Sequence, residues 1–276
     1  MWHLRCVPGL QVLYRREDET VGGRVKFGIL GPLLVSDGEK VVPIPAARQR
    51  VLLAALLVEA GRLVPADALA ETVWDGAPPT SAATTLRSHV MRLRRVLGPV
   101  AGPRVITRYP GYLIEAAERE VDVLRFSALC REGAAAVRAD AWERAANILD
   151  EALTLWRGAP LADIPSQLLR RDQVPRWEQL RLQAVEWQAD IGLQTGRHSE
   201  LVPELQALAA EHPLRERFHA QLMRALYRCA RQAEALEAYQ AARRVLVAEL
   251  GLEPGPELQQ LHRDILAGDR GLAGFP

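Results

Sequence analysis

The chain has 276 residues with 49% hydrophobic content, 25% charged content and only 5% aromatics, and 35 Lys and Arg stand against 34 Asp and Glu. This composition belongs to a folded chain long enough for two domains, each large enough to bury its own core, and it excludes a disordered polyelectrolyte. No apolar run reaches the roughly 18 to 20 residues that span a bilayer, so no membrane role is expected.

Residues 1–23 contain Leu10 to Leu13, broken by Pro8-Gly9 and followed by Arg15-Arg16-Glu17-Asp18-Glu19. The apolar stretch is too short for a secretory signal and reads as a disordered N-terminal extension. From Arg24 to Ile44, β-rich runs around the Asp37-Gly38 turn predict a small antiparallel sheet. Arg48 to Ala60 is a strongly apolar helix stopped by Gly61, and Pro65 to Trp74 is a shorter one stopped by Asp75-Gly76.

Between Gly76 and Ile114 there is no Asp or Glu, while Arg87, Arg92, Arg94, Arg95, Arg104, Arg108 and His89 all fall inside. With Thr80 or Ser81 as N-cap, Ala83, Leu86, Val90, Leu93 and Leu97 form one apolar stripe of a helix. The opposite face presents Thr84, Arg87, Ser88, Met91, Arg92 and Arg95. Arginine forks bind phosphate and guanine edges, and hydroxyls add adaptable contacts, so this face suits the major groove. A solvated arginine-rich surface is the plainer alternative. After Gly98-Pro99, two β-type runs meet at a Pro110-Gly111 turn, with Arg108 and Tyr109 near the tip. Helix, helix, basic helix and hairpin is the order of a winged helix. The expected DNA-binding residues are Thr84, Arg87, Ser88, Arg92, Arg94, Arg95, Arg108 and Tyr109. His89, on the flank, suits a phosphate contact or a packing role.

Beyond Val121 strand signals vanish. Helices are predicted near Leu124 to Arg138, Trp142 to Trp156, Val174 to Thr195, Ser199 to Glu211, Pro213 to Cys229, Gln232 to Leu250 and Pro256 to Leu266. The sets Ala145, Leu149, Ala152; Leu201, Leu205, Leu208; and Ala235, Tyr239, Ala242 repeat, and Leu201 to Ala235 spans the 34-residue period of tetratricopeptide repeats, offset by an insertion around Gly158 to Asp172. A plain helical bundle is the alternative. Trp142, Trp156, Trp177 and Trp187 read as core or inter-repeat aromatics. Residues 24–115 carry twelve Lys and Arg against seven Asp and Glu. The remainder is therefore slightly acidic and suited to protein partners.

Two groups of blocks carry a resemblance. Phe27-Gly28-Ile29-Leu30-Gly31-Pro32-Leu33, Arg48-Gln49-Arg50-Val51-Leu52-Leu53-Ala54-Ala55-Leu56-Leu57, Thr85-Leu86-Arg87-Ser88-His89-Val90-Met91-Arg92-Leu93-Arg94-Arg95 and Pro110-Gly111-Tyr112 resemble the OmpR-type winged helix of the Streptomyces antibiotic regulatory protein (SARP) family. Val121-Asp122-Val123-Leu124-Arg125-Phe126, Ala152-Leu153-Thr154-Leu155-Trp156-Arg157-Gly158, Pro213-Leu214-Arg215-Glu216-Arg217 and Leu250-Gly251-Leu252-Glu253-Pro254-Gly255-Pro256 resemble the bacterial transcriptional activation domain that follows it there. The resemblance implies a mainly α chain: a winged helix-turn-helix over 24–117, an all-α tetratricopeptide-like domain over 121–269, and a tail over 270–276. It implies a transcriptional activator that binds tandem direct repeats in double-stranded DNA near the −35 region as a head-to-tail dimer, and recruits RNA polymerase holoenzyme at secondary-metabolite gene clusters. Within the winged helix, Ala77, Pro78 and Pro79 in the loop ahead of the basic helix are the expected polymerase contacts. One departure from the family is Ala230, where a glycine is usual; a left-handed backbone there costs alanine about 1 kcal/mol. The alternative function is a protein-interaction scaffold whose winged helix does not bind DNA.

There is no P-loop, no G-x-G-x-x-G after a strand and no G-x-S-x-G, so an enzyme is not expected, and no cofactor. Three cysteines (Cys6, Cys130, Cys229) without a C-x-x-C pair, and six histidines outside any zinc spacing, point to a reduced, cytoplasmic protein without a metal.

Overall fold

A computed structural model describes residues 25–269. The N-terminal extension, residues 1–23, and the tail, residues 270–276, lie outside the described residues.

The chain opens with a three-stranded antiparallel sheet, β1 (Val25–Gly28), β2 (Leu34–Asp37) and β3 (Lys40–Val41), in the order β1-β2-β3. Helix α1 (Ala47–Val58) follows. Its residues Val51 to Leu57 are buried without interruption, so it is enclosed on every side rather than amphipathic. Then come β4 (Val64–Pro65), α2 (Ala66–Val73), α3 (Ala82–Ala101), β5 (Val105–Arg108) and β6 (Gly111–Ile114). The wing is not a bare hairpin. Strand β4 pairs with β6 to make a second three-stranded sheet, in the order β4-β6-β5.

That pairing explains Gly111, expected as half of a Pro-Gly turn. The connecting residues are Tyr109 and Pro110, joined by a cis peptide bond, and Gly111 already belongs to β6, opposite Arg108. A Cβ at Gly111 would lie 1.9 Å from the carbonyl oxygen of Val64, so the glycine is there to let β4 cross.

The second half consists of α4 (Asp122–Arg138), α5 (Trp142–Thr154), α6 (Gln167–Gln194), α7 (His198–Glu211), α8 (Glu216–Arg228), α9 (Gln232–Leu250) and α10 (Pro256–Leu266). Three hairpin turns share one device. Asp140, Gly196 and Ala230 have φ of 52°, 84° and 59°, and the residue after each donates its N–H back to Ala136, Gly192 and Leu226 respectively. The left-handed backbone expected at Ala230 is therefore present. Replacing Ala230 with glycine is expected to stabilise the chain by about 1 kcal/mol, seen as a rise of roughly 2–4 °C in melting temperature. A lower melting temperature would mean that the entropy lost by glycine outweighs the relief of strain.

The repeat positions are buried as expected, apart from Leu208, which is half-buried beside the fully packed Ala209. Trp177 is buried, and Trp142, Trp156 and Trp187 pack on the core edge, Trp156 meeting Phe126 edge to face at 5.4 Å. Helix α6 begins at Gln167, seven residues before the expected Val174, and runs straight through Pro175. The first turn is fixed by caps: Ser166 Oγ accepts from Leu169 N at 3.3 Å, and Asp75 Oδ1 accepts from Leu168 N at 2.9 Å. Asp75 belongs to the winged helix, which is why local sequence does not show this start.

The expectation that each domain buries its own core is corrected. One hydrophobic core runs from Val25 through α1, α3, α4 and α5 to Ile191, and a second begins at Ala189 and ends at Ile265. The division falls inside α6, not between the sheet-bearing half and the helices.

A polar clasp closes the shared core. Both carboxylate oxygens of Asp122 accept from Ile29 N (2.8 and 2.9 Å), and Oδ2 also accepts from Leu30 N at 2.9 Å and from Arg157 Nη2 at 3.1 Å. Arg157 donates Nη1 to the Pro32 carbonyl and its backbone N–H to Leu30. Asp163 accepts from Leu33 N at 2.7 Å, and its carbonyl accepts from Arg50 Nε at 3.1 Å. A Cβ on Gly28 would lie 2.3 Å from Arg157 Nη2, so the Phe27 to Leu33 block is shaped to receive Arg157.

The later blocks are structural too. Glu186 is buried on α6 and pairs with Arg215, Arg217 Nη2 donates to Asp190 Oδ2 at 2.6 Å, and Glu216 Oε2 accepts from Gly255 N at 2.7 Å. These contacts tie the start of α8 to α6 and to the turn before α10. None of the helices among the described residues is long and apolar enough to cross a membrane.

Candidate nucleic-acid interface

Helix α3 starts after Ser81, has no acidic residue in its first turn, and breaks at Gly98 (φ 74°) ahead of Pro99. Its buried stripe is Ala82, Leu86, Val90, Leu93 and Leu97. Ala82 takes the place expected of Ala83, which is exposed; three- and four-residue steps to Leu86 both fit a helix, and neighbouring alanines give no contrast.

The outward face carries Ala83, Thr84, Arg87, Met91, Arg92 and Arg95, all exposed, with Met91 55% exposed. Ser88 is half-buried, and its hydroxyl donates to the Thr84 carbonyl at 3.4 Å. At the wing, Arg108 is exposed and Tyr109 is 96% exposed. Among the described residues no carboxylate lies within 4 Å of the guanidinium of Arg87, Arg92, Arg95 or Arg108. In the helical half, Arg125, Arg131, Arg144, Arg215, Arg217 and Arg243 are paired with Glu or Asp, while Arg138, Arg176 and Arg244, exposed and without such a pair among the described residues, lie on separate helices. Four uncompensated cations on one helix face and its adjoining hairpin leave a field that only an external anion neutralises.

Arg94 has a different task from its neighbours. It is half-buried, and it donates Nε to the Val105 carbonyl at 2.7 Å and Nη2 to Thr107 Oγ1 at 2.8 Å. It braces the hairpin against the helix and thereby sets the distance between the Arg92–Arg95 face and Arg108. Sequence spacing places Arg94 beside Arg95, but a helix turns about 100° per residue, which is enough to carry one inward and leave the other free.

His89 packs. Its ring meets Trp74 edge to face at 5.9 Å, and both ring nitrogens are buried without a partner. Burial, together with the positive charges of Arg48 and Arg92, holds its pKa below the ordinary histidine value, so the ring is neutral. Trp74 and Arg48, which lie outside the acid-free basic stretch, therefore border the same face, and the lone tryptophan beside Asp75-Gly76 is their mark in the sequence.

The loop ahead of α3 projects Ala77 and Pro79 into solvent with Pro78 half-buried. Its base is fixed by Asp75 on the first turn of α6, and the N–H of Leu168 and the hydroxyl of Ser166 hold the Asp75 carboxyl below its usual range. Among the described residues no group of three or more His, Cys, Asp and Glu is arranged to hold a metal ion. Cys130 is buried, which pushes its thiol up to about 12, and Cys229 is half-buried.

A winged helix with an uncompensated arginine face, closed onto stacked helical hairpins, defines a transcription regulator of two parts. Residues 44–114 match the family model described as transcriptional regulatory protein, C terminal, and residues 121–266 match the bacterial transcriptional activator domain. The chain belongs to the SARP family of transcriptional activators. It is 37% identical to the regulatory protein DnrI of Streptomyces peucetius, covering 90% of this chain and 94% of that protein. It is 39% identical to the regulatory protein AfsR of Streptomyces coelicolor over 93% of this chain, and it spans only 26% of AfsR. The structure of Mycobacterium tuberculosis EmbR in complex with a low affinity phosphopeptide superposes with a TM-score of 0.85 at 33% identity, covering 90% of this chain and 66% of that one.

Proposed function

We propose that this transcriptional activator reads tandem direct repeats in double-stranded DNA near the −35 region, as a head-to-tail dimer in the cytoplasm, and recruits RNA polymerase holoenzyme to the promoters of a secondary-metabolite gene cluster. The winged helix, residues 24–117, is the DNA-binding unit and the helical domain, residues 121–269, meets protein. The observation that carries this reading is the set of unpaired arginines, Arg87, Arg92, Arg95 and Arg108, on α3 and its wing. Thr84 and Ser88 are the hydroxyls of the same face, and Tyr109 extends the wing tip. Ala77, Pro78 and Pro79 are the polymerase contacts we assign to the winged helix.

Footprinting the purified chain on promoters flanking its own gene tests the reading, since two protected segments in the same orientation, one helical turn or a multiple apart, are expected. No protection of any duplex would favour a protein scaffold instead. For the wing, Arg108→Ala is expected to weaken binding and to lower the slope of log affinity against log salt by about one. An unchanged slope in mobility shifts would take Arg108 out of the interface.

A further inference from the structure

We propose that Arg48, at the start of α1, is a contact to the DNA backbone phosphate, held in place by Trp74; this rests on the DNA-binding reading above. The Arg48 guanidinium carbon lies 5.3 Å from the centre of the Trp74 ring. Trp74 in turn meets His89, which sits on α3 three residues before Arg92. A continuous line of side chains therefore runs from the first turn of α1, across the end of α2, to the outward face of α3.

Arg48 is exposed, and among the described residues it has no carboxylate within 4 Å and no hydrogen-bond acceptor. The contrast with Arg50 is direct. Arg50 donates to the carbonyls of Ile44, Pro45 and Asp163 at 3.2, 2.9 and 3.1 Å, so all of its ordering serves the fold. Arg48 rests against an aromatic ring alone, which restrains the side chain and leaves its N–H groups without an acceptor. A planar fork with free edges, pre-ordered on a ring, matches two oxygens of one phosphodiester.

The surroundings favour an anion. Helix α1 has no acidic residue in its first turn, and its N-cap, Ala46, has no side-chain acceptor. His89 is too enclosed to reach an anion itself and serves as the wall against which Trp74 rests. Arg92, whose charge also bears on His89, is likewise unpaired. Arg48 and Arg92 thus both border the Trp74–His89 pair, which places a second cation beside Arg48 on the proposed DNA face.

The test uses the full chain and a duplex carrying the footprinted site, with a scrambled duplex beside it, in mobility shifts across a salt series. Arg48→Ala is expected to weaken binding to both duplexes by about tenfold, the scale of one charged hydrogen bond, and to reduce the salt slope by about one. Arg48→Lys should restore the slope and only part of the affinity, since an ammonium neutralises the phosphate but lacks the fork. Thermal melting should be unchanged in both variants, which separates lost contact from lost fold. An Arg48→Ala chain with unaltered affinity and slope, while Arg108→Ala responds, would overturn the assignment and leave the DNA reading intact. Loss confined to the footprinted duplex would overturn it as well, because it would make Arg48 a base reader. Failure of the wild-type chain to bind either duplex would strike the DNA reading itself.

Discussion

Replacing Asp122 with alanine is expected to lower the melting temperature by about 10 °C, the largest effect of any single change in the clasp. The carboxylate is nine-tenths buried and accepts from the N–H groups of Ile29, Leu30 and Val123 and from Arg157. Ile29 and Leu30 are themselves fully buried, so removing the acceptor strands their N–H groups away from water. At about 1–3 kcal/mol for each orphaned group, roughly 3 kcal/mol is lost. In a chain of this length that corresponds to about 2–4 °C per kcal/mol. Thermal melts followed by circular dichroism measure it. A shift under about 2 °C would mean that solvent enters the clasp and satisfies those groups.

The pH behaviour of this region follows from two carboxyls with opposite shifts. Burial pushes the Asp122 carboxyl up, with the N–H donors and Arg157 pulling only part of the way back. Protonation of Asp122 therefore favours the folded chain; its contribution is complete below the unfolded-state value and declines as pH rises through the folded one. Glu120 is opposed by burial too, but the hydrogen bond from Arg104 and the N–H of Ala117 outweigh it and hold its carboxyl low. Its contribution is complete above the unfolded-state value and is lost as pH falls through the folded one. Acid should thus release the Arg104–Glu120 link in the segment joining the halves while the contribution of Asp122 persists.

Replacing Arg87 with alanine should cost about 1–3 kcal/mol of specific binding, or roughly 5- to 150-fold, if it reads a base edge in the major groove. Arg87 is exposed in the middle of the outward face of α3 and has no carboxylate within 4 Å, so its loss should leave melting unchanged. Mobility shifts with the footprinted and scrambled duplexes separate the outcomes. Loss on the footprinted duplex alone gives Arg87 a base. Equal loss on both moves it to a phosphate, and no loss on either removes this face of α3 from recognition.

Much of this site was legible because its signals are local. The acid-free stretch from Ala77 to Leu113, the three- and four-residue spacing of Leu86, Val90, Leu93 and Leu97, and the two β-type runs around Tyr109-Pro110 each lie within one element or one turn. Helices α9 and α10 begin and end at the expected residues for the same reason. The left-handed backbone at Ala230 was legible only through the resemblance, which places a glycine at that position. What escaped depends on distant partners. Asp122 lies 93 residues from Ile29, Asp163 lies 130 residues from Leu33, and the cap at the start of α6 comes from Asp75. Periodicity carries no information about such pairs. Strand β4 escaped because two residues make no pattern, and Arg94 could be told from Arg95 only once β5 lay beside it.

The clasp also sets the terms on which recognition halves can be exchanged between relatives. A graft cut at the residues joining the winged helix to α4 would separate Gly28 to Leu33 from Asp122, Arg157 and Asp163, which belong to the other side of the cut. Neither half cut there would keep the contacts that close the shared core, because each supplies partners that the other lacks. The seam that respects the packing lies near Ala189 in α6, where one core gives way to the next. On the proposed reading, DNA specificity is therefore altered with least disturbance by changing the face of α3 in place, or by moving everything up to the middle of α6 as a single unit.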